Sequence, residues 1–200
     1  MGTPQIISTT VNGPIFSNGA EIVVTSTGAV DGEPTGIAAT TYNINVLSNS
    51  GTITGGSTVY SGAAGVGVLN RETIDALINT GSISGAPRPF GYQNGGVAVS
   101  NFGTIVTLDN LGGIAGGNGA TGGAEFPGGQ GGVGFANQGA ITNFLNAGQI
   151  VGGNGGTALS GGGGGSGLAN QGAITRLTNT GSISGGVGAV ALSPAMAAQA

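Results

Sequence analysis

The chain has no cysteine, no histidine, no tryptophan and no lysine. Without cysteine there are no disulfides and no thiol chemistry; without histidine as well, the usual zinc ligands are gone. A Ser-His-Asp triad is excluded for want of histidine, and a Ser-Lys pair for want of lysine. The basic residues are Arg71, Arg88 and Arg176, set against seven acids and a net charge of −4. Three scattered arginines cannot form the basic face that displaces counterions from nucleic acid, nor a polybasic patch for an anionic membrane. No apolar run approaches the ~20 residues of a membrane helix. The chain is therefore expected to bind no nucleic acid, to insert in no membrane and to carry no metal or other cofactor.

Charge of either sign is scarce, at 5% of residues, yet mean hydropathy is +0.27. Disorder favours the opposite combination, so a folded core is expected. That core must tolerate glycine, which fills 47 of the 200 positions, far above the usual ~7%.

Internal repeats dominate what is present. Asn70, Asn101, Asn137 and Asn170 anchor four units. At the same offsets after each anchor stand Ile74, Ile105, Ile141 and Ile174, then Leu77, Leu108, Phe144 and Leu177. Next come Asn79, Asn110, Asn146 and Asn179, and then Ile83, Ile114, Ile150 and Ile183, with glycines between and after. Val68, Val99, Phe135 and Leu168 precede the anchors. An earlier unit has Thr40 in the anchor position and keeps Ile44, Leu47, Asn49 and Ile53. A degenerate first unit from Ile15 to Gly32 offers Asn18 as anchor and Ile22 four residues on, at the offset of Ile74 from Asn70.

Each unit holds three short apolar segments, too short for helices and rich in Ile, Val and Thr. One unit alone cannot bury its apolar side. Stacked about 4.8 Å apart, the units pair strand over strand and align equivalent side chains into ladders. The expectation is an all-β chain: a right-handed parallel β-solenoid of about six three-sided coils, roughly 30 Å long. It forms one domain. Residues 1–33 are an N-terminal cap and degenerate first coil, 34–186 the regular coils, and 187–200 an unfinished coil and tail. Glycine and asparagine at fixed offsets read as turn residues that tolerate positive φ, and the asparagine amides can also bond from coil to coil. The Gly-rich stretches from Gly56 to Ala64, Ala86 to Gly96, Gly117 to Gly131 and Gly153 to Gly165 all leave the repeat at one corner. They read as loop insertions clustered on one face.

The strings NTGSISGG (Asn179 to Gly186), NSGTITGG (Asn49 to Gly56) and GVGVLNRETIDALINTGSISG (Gly65 to Gly85) resemble the passenger regions of large bacterial autotransporters. So does the opening TTVNGPIFSNGAEIVVTSTGAV (Thr9 to Val30). The resemblance runs from about Thr9 to Leu192. It implies a β-solenoid stalk on the exterior of a Gram-negative cell, often adhesive, in proteins exported through a C-terminal outer-membrane β-barrel. Met1-Gly2-Thr3-Pro4-Gln5 lacks the basic and apolar regions of a secretory signal. The chain is expected to be a mature extracellular or cell-surface segment, either excised or a self-standing relative.

Other chemistries fit less well. Gly161 to Gly167 lacks the Lys-Ser/Thr ending of a phosphate loop and is followed by no helical period. Gly116-Gly117-Asn118-Gly119 lacks the aspartate of calcium-binding nonapeptides. Polysaccharide-cleaving solenoids gather carboxylates in a groove; here Glu72 and Asp75 share a coil beside Arg71, and Asp109 sits one coil on at a different offset. Thr52, Thr104, Thr142 and Thr175 do not make the unbroken row of an ice-binding face.

The contact candidates are Tyr60, Arg88, Phe90, Tyr92 and Phe126, all in the inserts. Either they form a contact cluster for a glycan or protein of a host or neighbouring cell, or they fold back over the solenoid side. The segment carrying Val187, Val190 and Leu192 resembles the opening strand of one more unit, and its apolar edge is expected to favour head-to-tail self-association. The leading function is thus a non-catalytic stalk or adhesin segment. The alternative is an extracellular filament or biofilm-matrix subunit stacked end to end.

Overall fold

A computed structural model describes residues 2–32, 35–56, 64–88, 93–123 and 126–189. Every described strand pairs in parallel, and none of the described residues is helical. Three sheets of seven, seven and six strands each follow chain order with every third strand adjacent. This is the parallel β-solenoid expected of the repeat.

One coil shows the plan. Val66–Asn70 forms the anchor face, Thr73–Asn79 the long face and Ser82–Ser84 the short face. The ladders read from the sequence are in register. Ile44, Ile74, Ile105, Ile141 and Ile174 stack on one another, as do Leu47, Leu77, Leu108, Phe144 and Leu177. Ile53, Ile83, Ile114, Ile150 and Ile183 line the short face, and Val68, Val99, Phe135 and Leu168 the anchor face. Phe135 and Phe144 meet across the interior of one coil with ring centroids 5.3 Å apart. Ile105 is fully buried, so Ile105→Val should cost about 1 kcal/mol and lower the thermal midpoint by roughly 2–4 °C. An unchanged midpoint in calorimetry would contradict its place in the core.

Ile74 and Leu77 lie three residues apart, yet both point inward. A flat strand alternates with period two and could not do this. The long strand therefore bends at Asp75, whose equivalents Val106, Thr142 and Thr175 are likewise skipped in the register. Beyond the bend Leu77 and Asn79 alternate normally, so the second corner asparagine also points inward.

Those asparagines form two internal columns. At the corner after the anchor face, the amide Nδ2 of Asn70 donates to Oδ1 of Asn101 at 2.7 Å, Asn101 to Asn137 at 2.7 Å, and Asn137 to Asn170 at 2.7 Å. At the corner after the long face the chain is Asn49, Asn79, Asn110, Asn146 and Asn179, linked at 2.7–2.8 Å. Each donor also reaches a backbone carbonyl of the next coil; Asn110, for example, bonds Gln149 O at 3.2 Å. Except for the last pair, Asn170 and Asn179, these side chains are completely buried.

Three sequence expectations change at the N-terminal end. Ala39, not Thr40, stands under Asn70, so the corner from Thr40 to Asn43 carries one extra residue. Ile22 stacks on Leu47 and belongs to the leucine ladder, while Asn18 lies outside both columns and donates to Thr3 O. A further partial coil precedes that unit: Gln5–Ile7 pairs with Ile22–Val24, and Thr10–Asn12 with Ala29–Gly32.

The glycines also act differently than expected. Among the described glycines only Gly13 (φ 94°) and Gly19 (φ 81°) adopt the left-handed region. The corner glycines Gly81, Gly112, Gly148 and Gly181 instead sit under the preceding coil, where a Cβ would lie 2.0–2.2 Å from a carbonyl oxygen. Close stacking, not left-handed backbone, requires glycine there.

Candidate interaction surface

After the short strands Ser82–Ser84, Gly113–Ala115 and Gln149–Val151 the chain leaves the solenoid in an outgoing arm and returns in a second arm. The described parts of these arms contain no extended β-pairing, yet regular backbone hydrogen bonds link them from layer to layer. One line of N–H to carbonyl bonds zigzags from layer to layer: Ala86 to Gly65, Gly96 to Ala86, Gly117 to Gly96, Gly132 to Gly117, Gly153 to Gly132, Gly165 to Gly153 and Gly186 to Gly165, each 2.7–3.0 Å. Three residues further along the arms a second line joins Ala120 to Gln93, Gly129 to Ala120, Gly156 to Gly129, Gly162 to Gly156 and Ala189 to Gly162. A bonding period of three is that of the polyproline II helix. The Gly-Gly-x pattern, as in Gly152-Gly153-Asn154-Gly155-Gly156-Thr157, has the same period. The described parts of the inserts after Gly85 are therefore a second packed body built on backbone contacts, not loops of free length.

At Asn118, Asn154 and Val187 the third position of the pattern faces outward, and asparagine side chains accept backbone N–H groups of the neighbouring layer. Oδ1 of Asn118 accepts from Asn154 N, Oδ1 of Asn154 from Val187 N, and Oδ1 of Asn94 from Gln130 N, each at 2.9 Å. That is the structural use of asparagine in Gly116-Gly117-Asn118-Gly119, the motif compared above with calcium-binding loops. Among the described residues, no three His, Cys, Asp or Glu side chains gather.

This body places the contact candidates. Arg88 is buried within it at 4% exposure, its backbone N–H donating to Asn118 O. Phe126 is half-exposed near the arm tips. Tyr60, Phe90 and Tyr92 lie outside the described residues. Val187 is 71% exposed but is not in a strand. It continues the outgoing-arm column of Arg88, Asn118 and Asn154, so the start of the final segment is an arm and not an opening strand. Val190 and Leu192 lie outside the described residues.

Sequence reasoning missed a different surface. At the corner between the anchor and long faces, the residue after each anchor points outward: Arg71, Phe102, Gln138 and Gln171. The Arg71 guanidinium lies 5.0 Å from the Phe102 ring centroid, a cation–π contact. On the same corner of the neighbouring coil Tyr42 is 58% exposed, its carbonyl accepting the Ser17 hydroxyl. Coil stacking spaces Arg71 and Phe102 about 4.8 Å apart, and with Tyr42 exposed on the longer corner of the coil before they make a rib of planar side chains. For Arg71 and Phe102 the signal was available as an offset of one from the anchor asparagine; Tyr42 lies three residues after Ala39 and carried no such signal.

The outer side of the long face holds a depression of about 240 Å³ lined by Asp109, Asn143, Leu145, Arg176 and Thr178 over Phe144. Asp109 is the one carboxylate lining it. Glu72 sits at the corner and Asp75 at the strand bend, each in a different setting from Asp109. Comparison with protein-family models, with curated proteins and with solved structures finds no match.

Proposed function

We propose that this chain is a rigid, non-catalytic structural module of the bacterial cell exterior, a passenger-like stalk or adhesin segment. The observation that supports it is the continuity of the architecture. Four apolar ladders, two buried asparagine columns and a bonded glycine body run through successive coils. Such a body holds position and presents its corners at a fixed spacing. The rib of Tyr42, Arg71 and Phe102 is the surface best suited to contact. Its exposed rings can stack on sugar faces or enter a protein interface, where aromatic and arginine side chains carry most of the energy.

The test displays the chain on a Gram-negative cell ahead of an outer-membrane barrel and counts adherence to host cells and glycan-coated surfaces. Adherence at least tenfold above an empty barrel is expected, and Tyr42→Ala with Phe102→Ala should return it to that baseline. Adherence no greater than the empty barrel would remove the adhesive part of the reading. The alternative, a filament stacked end to end, requires complementary ends.

A further inference from the structure

The two ends of the solenoid carry different chemistry. At the C-terminal end, the strands Leu168–Asn170, Ala173–Asn179 and Ser182–Ser184 each lack an outer neighbour among the described residues. Leu168, Ile174 and Ile183 are only partly covered and Leu177 is exposed, whereas their ladder equivalents two coils earlier are buried. Asn179 accepts from Asn146 through Oδ1, and Asn170 from Asn137, but both stand exposed at the open side.

The inner coils show what such an edge takes. Each corner asparagine offers Nδ2 to an Oδ1 of the next coil, as Asn110 does to Asn146. Its carbonyl accepts the N–H groups of the next two residues in that coil: Asn110 O from Ala147 and Gly148, and Asn101 O from Gln138 and Gly139. In a coil seated on an asparagine edge the third residue is glycine, because a Cβ at Gly148 would lie 2.0 Å from Gly112 O and one at Gly139 2.0 Å from Gly103 O; Glu72 takes that place where the coil before carries Ala39 and a corner longer by one residue. The unit that completes an edge is thus Asn-x-Gly at both corners.

The N-terminal edge offers neither. Ile7 stands in the Asn179 column, through Val24 and Asn49. Ser17, next to Phe16, falls in the column of Ala39 and Asn70. Thr9 occupies the column of Gly28 and Gly51, since Ala29 N bonds Thr9 O as Thr52 N bonds Gly28 O. A second copy seated head to tail would bury the Asn179 amide under Ile7 and drive the Thr9 side chain at the Gly181 carbonyl.

We infer that the C-terminal edge is a docking template for a further solenoid coil carrying Asn-x-Gly at both corners, and that it rejects the N-terminal edge of a second copy. The inference stands on the edge chemistry alone and is independent of the adhesive reading. It opposes the end-to-end filament.

The test adds a fluorescent peptide of residues 166–186 to the full chain and follows anisotropy, together with hydrogen exchange of the chain. The peptide should bind and protect amides in Ala173–Asn179. The same peptide with Asn170→Leu and Asn179→Leu should bind at least tenfold more weakly. The chain alone should sediment as one species over a hundredfold range of concentration. No binding at millimolar peptide, equal binding of the leucine peptide, protection at Gln5–Ile7 instead, or concentration-dependent head-to-tail polymers would each overturn it.

Discussion

Gly153→Ala should lower the thermal midpoint by roughly 6–12 °C, while Gly163→Ala, ten residues away in the same glycine body, should leave it within about 1 °C. Both changes add one methyl group and both reduce the freedom of the unfolded chain, a small stabilising effect. They differ in what the methyl meets. At Gly153 it would stand 1.9 Å from Gly117 O and 2.5 Å from Gly117 C, both backbone atoms. At Gly163 nothing lies within 4 Å. No side-chain rotation can relieve the first clash, so layers must separate. That strains the bonds from Gly153 N to Gly132 O and from Gly165 N to Gly153 O. Overpacking of this kind costs about 3 kcal/mol. A repeat array need not unfold in one step, so exchange of the amides at positions 153 and 165 should be read beside the midpoint, and it should accelerate only in the Gly153 variant. Equal behaviour of the two variants would show that the arms are loose loops.

The repeat, the four apolar ladders and the corner asparagines were legible because stacking forces equivalent residues into one column. The glycine body was not. Glycine serves both positive φ and close backbone approach, and its identity alone does not say which. The period of three in Gly152 to Thr157 was visible, but its match to the three-residue period of polyproline II had to be recognised before the arms could be read as packed structure. The C-terminal segment failed for a related reason. Val187-Gly188-Ala189 looks like Val66-Gly67-Val68 and Val133-Gly134-Phe135, which lead into anchor strands. What assigns it to an outgoing arm is its place directly after Gly185-Gly186 and the short strand Ser182–Ser184.

The surface was hidden by where aromatics were sought. Tyr60, Phe90, Tyr92 and Phe126 drew notice because they interrupt glycine-rich sequence, whereas Phe102 follows an anchor asparagine inside a regular repeat. Burial of Arg88 has the same lesson in reverse: an arginine among glycines reads as exposed until the glycines are seen to pack. The bend at Asp75 was implicit in two inward residues three apart, a spacing that period two forbids.

Asn110→Asp should be the most damaging of the conservative changes, lowering stability at pH 7 by on the order of 4 kcal/mol. The side chain is almost unchanged in shape. Asn110 accepts from Asn79 Nδ2 at 2.8 Å and donates to Asn146 Oδ1 at 2.7 Å and to Gln149 O at 3.2 Å. A carboxylate can still accept from Asn79, but it cannot donate. It would set negative oxygens against Asn146 Oδ1 and the Gln149 carbonyl in a position with no solvent access and no cation in the column. Protonation restores a donor, so burial should raise the folded-state pKa of the new acid above its unfolded value of about 3.9. The folded variant then binds more protons than the unfolded one, and stability falls as pH rises. The deficit should therefore be smallest near and below the unfolded pKa, grow as pH climbs through the folded value, and level off above it. Asn110→Ala separates this from mere loss of contact: it removes one acceptor from Asn79 and one donor from Asn146, costs about 1–3 kcal/mol, and should show no added pH dependence. Denaturant melts of both variants between pH 4 and pH 8 measure the difference. If the Asp variant matched wild type at pH 7, the corner asparagines would not be the closed, buried columns described here.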